Sequence, residues 1–108
     1  MINHSLVLAS TSEIRRKLAS NFDSSIIFSS PSADEEHLKK TLQGLEPAQL
    51  CYELAKAKSL SINHEFPNHL VLGCDQICLL ENKIFSKPRT ADRAIDQLKE
   101  LSGKTHHL

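Results

Sequence analysis

Residues 6–16 read Leu6-Val7-Leu8-Ala9-Ser10-Thr11-Ser12-Glu13-Ile14-Arg15-Arg16, and within this stretch the chain changes character. Leu6 to Ala9 is a continuous apolar run, too short for a helix, which suits a strand buried on both faces. The hydroxyl triplet Ser10, Thr11, Ser12 then supplies helix-capping side chains, so a helix is expected from Glu13 to about Asn21. Working outward, Ser24 to Phe28 reads as a second strand. Ser29 to Gly44 contains Pro31, Asp34, Glu35, Glu36 and two lysines with no apolar period, and is read as a long mobile loop, a class of segment that often carries function.

Pro47 suits a first helical turn. After it Leu50, Leu54 and Ala57, with Cys51 and Ala55 beside them, recur at the helical period to about Ser61. Leu70 to Leu80 is rich in Val, Leu, Ile and Cys; past a Glu81-Asn82 turn it returns through Lys83, Ile84 and Phe85, which predicts a strand and hairpin. Thr90 is placed to cap a last helix with Ala94, Ile95, Leu98 and Leu101 on one face, and Gly103 to stop it. Thr105 to Leu108 reads as the opening of another strand. Strands alternating with helices in this order predict an α/β fold, a mixed sheet flanked by helices.

The bulk properties agree with one folded domain. The 108 residues carry 13 Lys+Arg against 13 Asp+Glu, and mean hydropathy is -0.29, unlike the strongly charged composition of disordered chains. Zero net charge argues against sequence-independent binding to a nucleic-acid polymer or an anionic membrane surface. No stretch approaches the ~20 apolar residues of a membrane helix, and residues 1–13 lack a secretory pattern, so a cytoplasmic protein is expected. Cys51, Cys74 and Cys78 are odd in number and unlike a paired framework, and are read as reduced thiols. Cys74 and Cys78, four apart, would share one strand face as core thiols. The histidines, His4, His37, His64, His69, His106 and His107, form no metal-binding pattern and are read as surface residues.

Three groups of residues could carry chemistry. A strand ending in a hydroxyl-rich helix N-terminus with Arg15 and Arg16 in its first turns suits an anion, because free N–H groups and guanidinium forks both match phosphate oxygens. The alternative is a capped helix with solvated arginines. Asp75 follows Gly73 and Cys74 inside an apolar strand, where a carboxylate is costly unless it is paired, metal-bound or open to a cleft. Gly73 would let a ligand or another backbone come close. The strand's outward face meeting water is the alternative there. Lys58 and Lys87, with Glu35 from the loop, complete a set of four cations and two carboxylates suited to a polyphosphate and a divalent metal. Taken singly, each lysine reads as a solvated surface charge. No Walker P-loop or GxGxxG is present, so phosphate binding would not rest on a glycine cradle.

Five segments, in order, resemble the Maf nucleotide pyrophosphatases, whose fold is similar to that of the inosine triphosphatases. They are LVLASTSEIRRKL at residues 6–18, the acidic Asp34-Glu35, Leu54-Ala55 with Lys58, VLGCDQICLLENKIFSKP at residues 71–88, and Leu101 to His106. The Asp75-Gln76-Ile77-Cys78 variant, and an extra residue between Ser12 and Arg15, resemble the subfamily that hydrolyses 7-methyl-GTP. Relatives with Asp-Thr at that point are associated with dTTP and UTP. The resemblance implies that Asp75 is a general base or metal-linked catalytic carboxylate. It implies further that Ser10, Arg15, Arg16, Lys58 and Lys87 bind substrate phosphates, and that Ile14 and Gln76 shape base specificity. Glu35 with Asp75 would hold a divalent cation, magnesium or manganese.

Two features depart from the family pattern. Glu13 stands where the family often has proline, and its charge would compete with a phosphate for the helix dipole. Family members are also nearly twice this length and the match ends near their midpoint. The resemblance therefore implies one N-terminal lobe over residues 1–108, either active or a nucleotide-binding lobe without turnover. The strand expected to open at Thr105 predicts an exposed sheet edge, so the chain is expected either to pair through it as a homodimer or to be only marginally stable.

Overall fold

The structure is a computed structural model that describes residues 5–108; His4 lies outside the described residues. Three strands, β1 (Ser5–Ala9), β2 (Ile27–Ser29) and β3 (His69–Gly73), form a parallel sheet in the order β2-β1-β3. Val7 pairs with Ile27 on one side and Val71 on the other, and the β1–β3 ladder runs from Ser5–His69 to Ala9–Gly73. Placing β1 in the centre explains its unbroken apolar run: Val7, Leu8 and Ala9 are all buried.

Helix α1 (Glu13–Phe22) connects β1 to β2. Helices α2 (Glu35–Thr41) and α3 (Pro47–Ile62), with a short 3-10 turn at Asn63–Glu65, connect β2 to β3. The chain steps from β1 to one side and then crosses back to the other. Right-handed crossovers therefore place α1 and α3 on opposite faces of the sheet. Helix α3 buries Leu54, Lys58 and Ile62, one residue per turn on a single face. Ile62 joins Val7 and Ala9 in the core, with Phe66 and Val71 packed against them.

Three expectations are corrected. The segment 29–44 is not a loop throughout, because Asp34 caps α2 by accepting from the His37 N–H at 3.1 Å. Glu35 and Glu36 lie in the first turn and Lys39 and Lys40 in the last, the order the helix dipole favours. Capping and charge make this helix, so it has no apolar period to read. The second strand lies at 27–29 rather than 24–28, since Asp23 and Ser25 form a turn by side-chain hydrogen bonds. The expected strand 70–80 is interrupted at 74–77, because side chains rather than a neighbouring strand take the Cys74 and Asp75 carbonyls. Asp75 therefore lies just past the end of β3, and Cys74 and Cys78 share no strand face.

Compact packing divides the chain after Asp75. The second unit holds β4 (Cys78–Leu80) and β5 (Lys83–Phe85), an antiparallel hairpin, and α4 (Ala91–Leu101). The hairpin turn puts Glu81 at φ 54°. Thr90 caps α4 by accepting from Arg93 N–H at 3.2 Å, and Gly103 takes φ 72° just beyond it. The expected terminal strand is a single antiparallel bridge: the N–H and carbonyl groups of Leu79 and His107 exchange two 2.8 Å hydrogen bonds. All three cysteines are free thiols. Among the described residues no helix is long and apolar enough to cross a membrane.

Candidate active site

Parallel α/β sheets bind ligands beyond the carboxyl ends of their strands, where successive connections leave for opposite faces. Here that point lies between β1 and β3, and the chain after each strand carries candidate residues. Past β1, Ser10 is buried; its hydroxyl accepts from Ser12 N–H at 3.1 Å, and its carbonyl accepts from Arg16 Nε at 2.7 Å. Arg16 also lies over the Phe28 ring of β2, 5.5 Å from its centroid. Ser12 caps α1 through Arg15 N–H at 3.3 Å. Arg15 reaches across to donate to the Cys74 carbonyl at 3.1 Å. The solvated-arginine reading is thereby corrected: both side chains are half-buried and hydrogen-bonded to strand-end carbonyls.

Past β3 the central group is Lys58. Its side chain is only 8% exposed, which corrects the reading of this lysine as a solvated charge. Its ammonium lies 2.8 Å from Glu35 Oε1, 3.1 Å from Asp75 Oδ1 and 3.2 Å from the Cys74 carbonyl. Burial lowers the Lys58 pKa, but the hydrogen bonds and charges of Glu35 and Asp75 outweigh it and hold the group above a lysine's ordinary value. It is a cation at neutral pH. The loop before α2 is pinned to α3 by Ser32 N–H donating to the Ser61 hydroxyl at 3.0 Å, which helps set Glu35 over Lys58.

The geometry adds Cys51, which the sequence placed only on the apolar side of α3. Its thiol donates to the Asp75 carbonyl at 3.3 Å. Burial and the nearby Asp75 charge raise its pKa against the opposing pull of Lys58 and Arg15, so it stays a protonated donor. Its spacing from Lys58, two helical turns along one face, is the signal that could have found it. Gly73 likewise becomes specific. A Cβ there would overlap the carbonyl oxygen of Ala55, so the close approach is that of a backbone, helix α3.

The structure thus brings Glu35, Lys58 and Asp75 into direct contact, with Arg15 sharing the Cys74 carbonyl and Ser10 bonded to Arg16. Ile14 is 73% exposed on α1. Gln76 and Lys87 are exposed residues of the second unit. Among the described residues no three His, Cys, Asp or Glu side chains cluster as a metal site of their own. Glu35 and Asp75 offer the hard carboxylate oxygens that a magnesium-type cation takes, commonly one or two of them together with substrate phosphates, and in this structure both oxygens lie against the Lys58 ammonium.

Known proteins place this site in context. The chain is 40% identical over 98 residues to a 7-methyl-GTP pyrophosphatase of Aliivibrio fischeri, covering 91% of this chain and 49% of that protein. A 7-methyl-GTP pyrophosphatase of Bartonella henselae is 37% identical over 108 residues, 100% of this chain and 54% of the relative. A nucleoside triphosphate pyrophosphatase of Legionella pneumophila is 34% identical over 101 residues, 94% of this chain and 50% of the relative. The chain spans about half the length of these curated relatives. Residues 5–108, which include every candidate residue above, match the family model described as Maf-like protein, and the chain belongs to that family.

Proposed function

We propose that this chain supplies the β1–β3 side of a nucleoside triphosphate pyrophosphatase site, with 7-methyl-GTP as its substrate. The observation that carries the reading is the convergence of Glu35, Lys58 and Asp75 past β3, with Arg15 sharing the Cys74 carbonyl. The names of the relatives support the reaction class, and those of the Aliivibrio and Bartonella proteins support the methylated base.

In this reading water attacks the α-phosphorus of the bound nucleotide, giving the nucleoside monophosphate and pyrophosphate. Asp75 takes the proton from the attacking water. Arg15 and Arg16 bind the phosphates by charge-assisted hydrogen bonds, and Ser10 holds the β1–α1 turn from which both are presented; Lys87, in the second unit, is a phosphate ligand by the family resemblance alone. A divalent cation held by Glu35 and Asp75 would supply charge neutralisation at the phosphates. Catalysis of this kind rests on positioning and charge stabilisation more than on covalent chemistry.

The test is pyrophosphate release from 7-methyl-GTP with magnesium present. Asp75→Asn keeps the shape and removes the base, and general-base catalysis typically contributes ~10²–10⁴-fold, so a loss in that range is expected. Equal activity would remove Asp75 from the mechanism. Nucleotide binding without turnover in the unaltered chain would instead identify a binding lobe. For specificity, Gln76→Thr should shift the ratio of 7-methyl-GTP to UTP hydrolysis toward UTP by about 10-fold, the scale of one pocket contact. An unchanged ratio would exclude Gln76 as a determinant.

A further inference from the structure

A lysine ammonium has three N–H donors and no acceptor. The three oxygens around Lys58 Nζ, Glu35 Oε1 at 2.8 Å, Asp75 Oδ1 at 3.1 Å and the Cys74 carbonyl at 3.2 Å, match that number. With all three bonds made, Lys58 has no donor left for a phosphate. The two carboxylate oxygens proposed as metal ligands are at the same time bonded to an ammonium. Neither proposed role is compatible with the cage as it stands.

We propose that the Lys58 ammonium is a placeholder cation in the Glu35–Asp75 cage, and that entry of a divalent ion displaces it and frees its N–H donors for a substrate phosphate. The inference rests on the reading of Glu35 and Asp75 as metal ligands; what it adds is the exchange and the coupling that follows. Three oxygens from α2 and the β3 end form a hard-ligand set for either cation. A divalent ion and an ammonium cannot share it closely, because like charges repel strongly in a poorly solvated site. The aliphatic stem of Lys58 rises from the buried face of α3 between Leu54 and Ile62, and its rotatable bonds allow the head to move while the stem stays packed. Metal and phosphate therefore assist each other: the metal releases the ammonium, and a phosphate that holds the ammonium leaves the carboxylates to the metal. By linkage the assistance is equal in both directions.

The experiment measures manganese binding by calorimetry to the full chain and to Lys58→Met, without nucleotide. Removing the competitor should tighten binding by about tenfold, within the usual range of coupling between sites. Manganese should also raise the melting temperature of Lys58→Met by more than that of the unaltered chain, and should restore folding if the variant is unfolded without metal. The unaltered chain gives a second readout: the ¹⁵Nζ–H signal of Lys58, protected by three hydrogen bonds, should be lost as diamagnetic magnesium saturates the site. Manganese affinity that is equal or weaker in Lys58→Met, no manganese binding to either protein, or a Lys58 signal that persists at saturating magnesium would each overturn the exchange. None of these readouts involves hydrolysis, so the pyrophosphatase reading stands or falls separately on pyrophosphate release.

Discussion

Gly73→Ala is expected to destabilise the first unit by about 3 kcal/mol, at the upper end of the usual cost of overpacking. The added Cβ would overlap the Ala55 carbonyl oxygen and lie 3.0 Å from the Ser59 nitrogen and 3.1 Å from the Ala55 carbonyl carbon. All three are backbone atoms of α3, so no side chain can rotate to make room. The helix must lift from β3 or the strand must bend. Gly44 and Gly103 are the controls. Each has a positive φ, 93° and 72°, and a Cβ added at either would meet nothing within 4 Å, so alanine there should cost only the ~1–2 kcal/mol of a left-handed conformation. Urea unfolding distinguishes the cases. A Gly73→Ala cost no larger than that at Gly103 would show that α3 and β3 are not in fixed contact. Because α3 carries Lys58 and Cys51, the same substitution should also weaken the nucleotide binding proposed above, at temperatures where the variant remains folded.

The second large effect is expected at Lys58. Removing one partner of a buried ion pair typically costs ~3–5 kcal/mol, because the charge left behind is neither solvated nor paired. Lys58→Ala would remove the ammonium from Asp75, whose side chain is only 12% exposed. A loss in that range is expected in denaturant unfolding. A second ion pair among the described residues, Lys83 with Glu100 at 2.7 Å, sets the scale: its side chains are 59% and 45% exposed, and exposed pairs contribute ~0–1 kcal/mol. Lys83→Ala should therefore change stability little. Equal effects at Lys58 and Lys83 would mean that the buried cage carries no special energy.

The pH dependence follows from the same cage. Lys58 has a raised pKa in the folded chain, so its stabilisation is complete below the unfolded lysine value of ~10.4 and is lost as pH rises through the folded value. Melting temperature should fall above that point in the unaltered chain. In Lys58→Met this component of the alkaline loss should vanish, and its persistence would assign the loss to another group.

Much of the fold is legible in residues 6–16 and the segments like them. Strand β1 reads as buried because its apolar run is uninterrupted, and it lies between two neighbours. Helices α1, α3 and α4 are marked by Ser12, Pro47 and Thr90 at their starts. Helix α2 was not legible, because an exposed helix of seven residues held by an Asp34 cap and end charges has no periodic face. The interruption after Gly73 was hidden for the opposite reason. Cys74 to Leu80 remains apolar enough to continue a strand, and only distant donors, Arg15, Cys51 and Lys58, end the ladder.

The candidate residues divide in the same way. Which types are present, the two arginines after a capped turn and a carboxylate after an apolar strand, is a property of the sequence, as is the family likeness. Their environments are not. Lys58 occupies the stripe Leu54, Lys58, Ile62, where a lysine is tolerated only if paired, and its partners come from α2 and from the chain beyond β3. The sequence by itself determined the α/β class, the capped helix starts and the set of charged groups available for phosphate chemistry, because these depend on local period and composition. Only the tertiary structure decided that Gly73 admits a helix, and that one buried ammonium holds both carboxylates. Close approach and desolvation depend on residues far apart in the chain being brought to the same point.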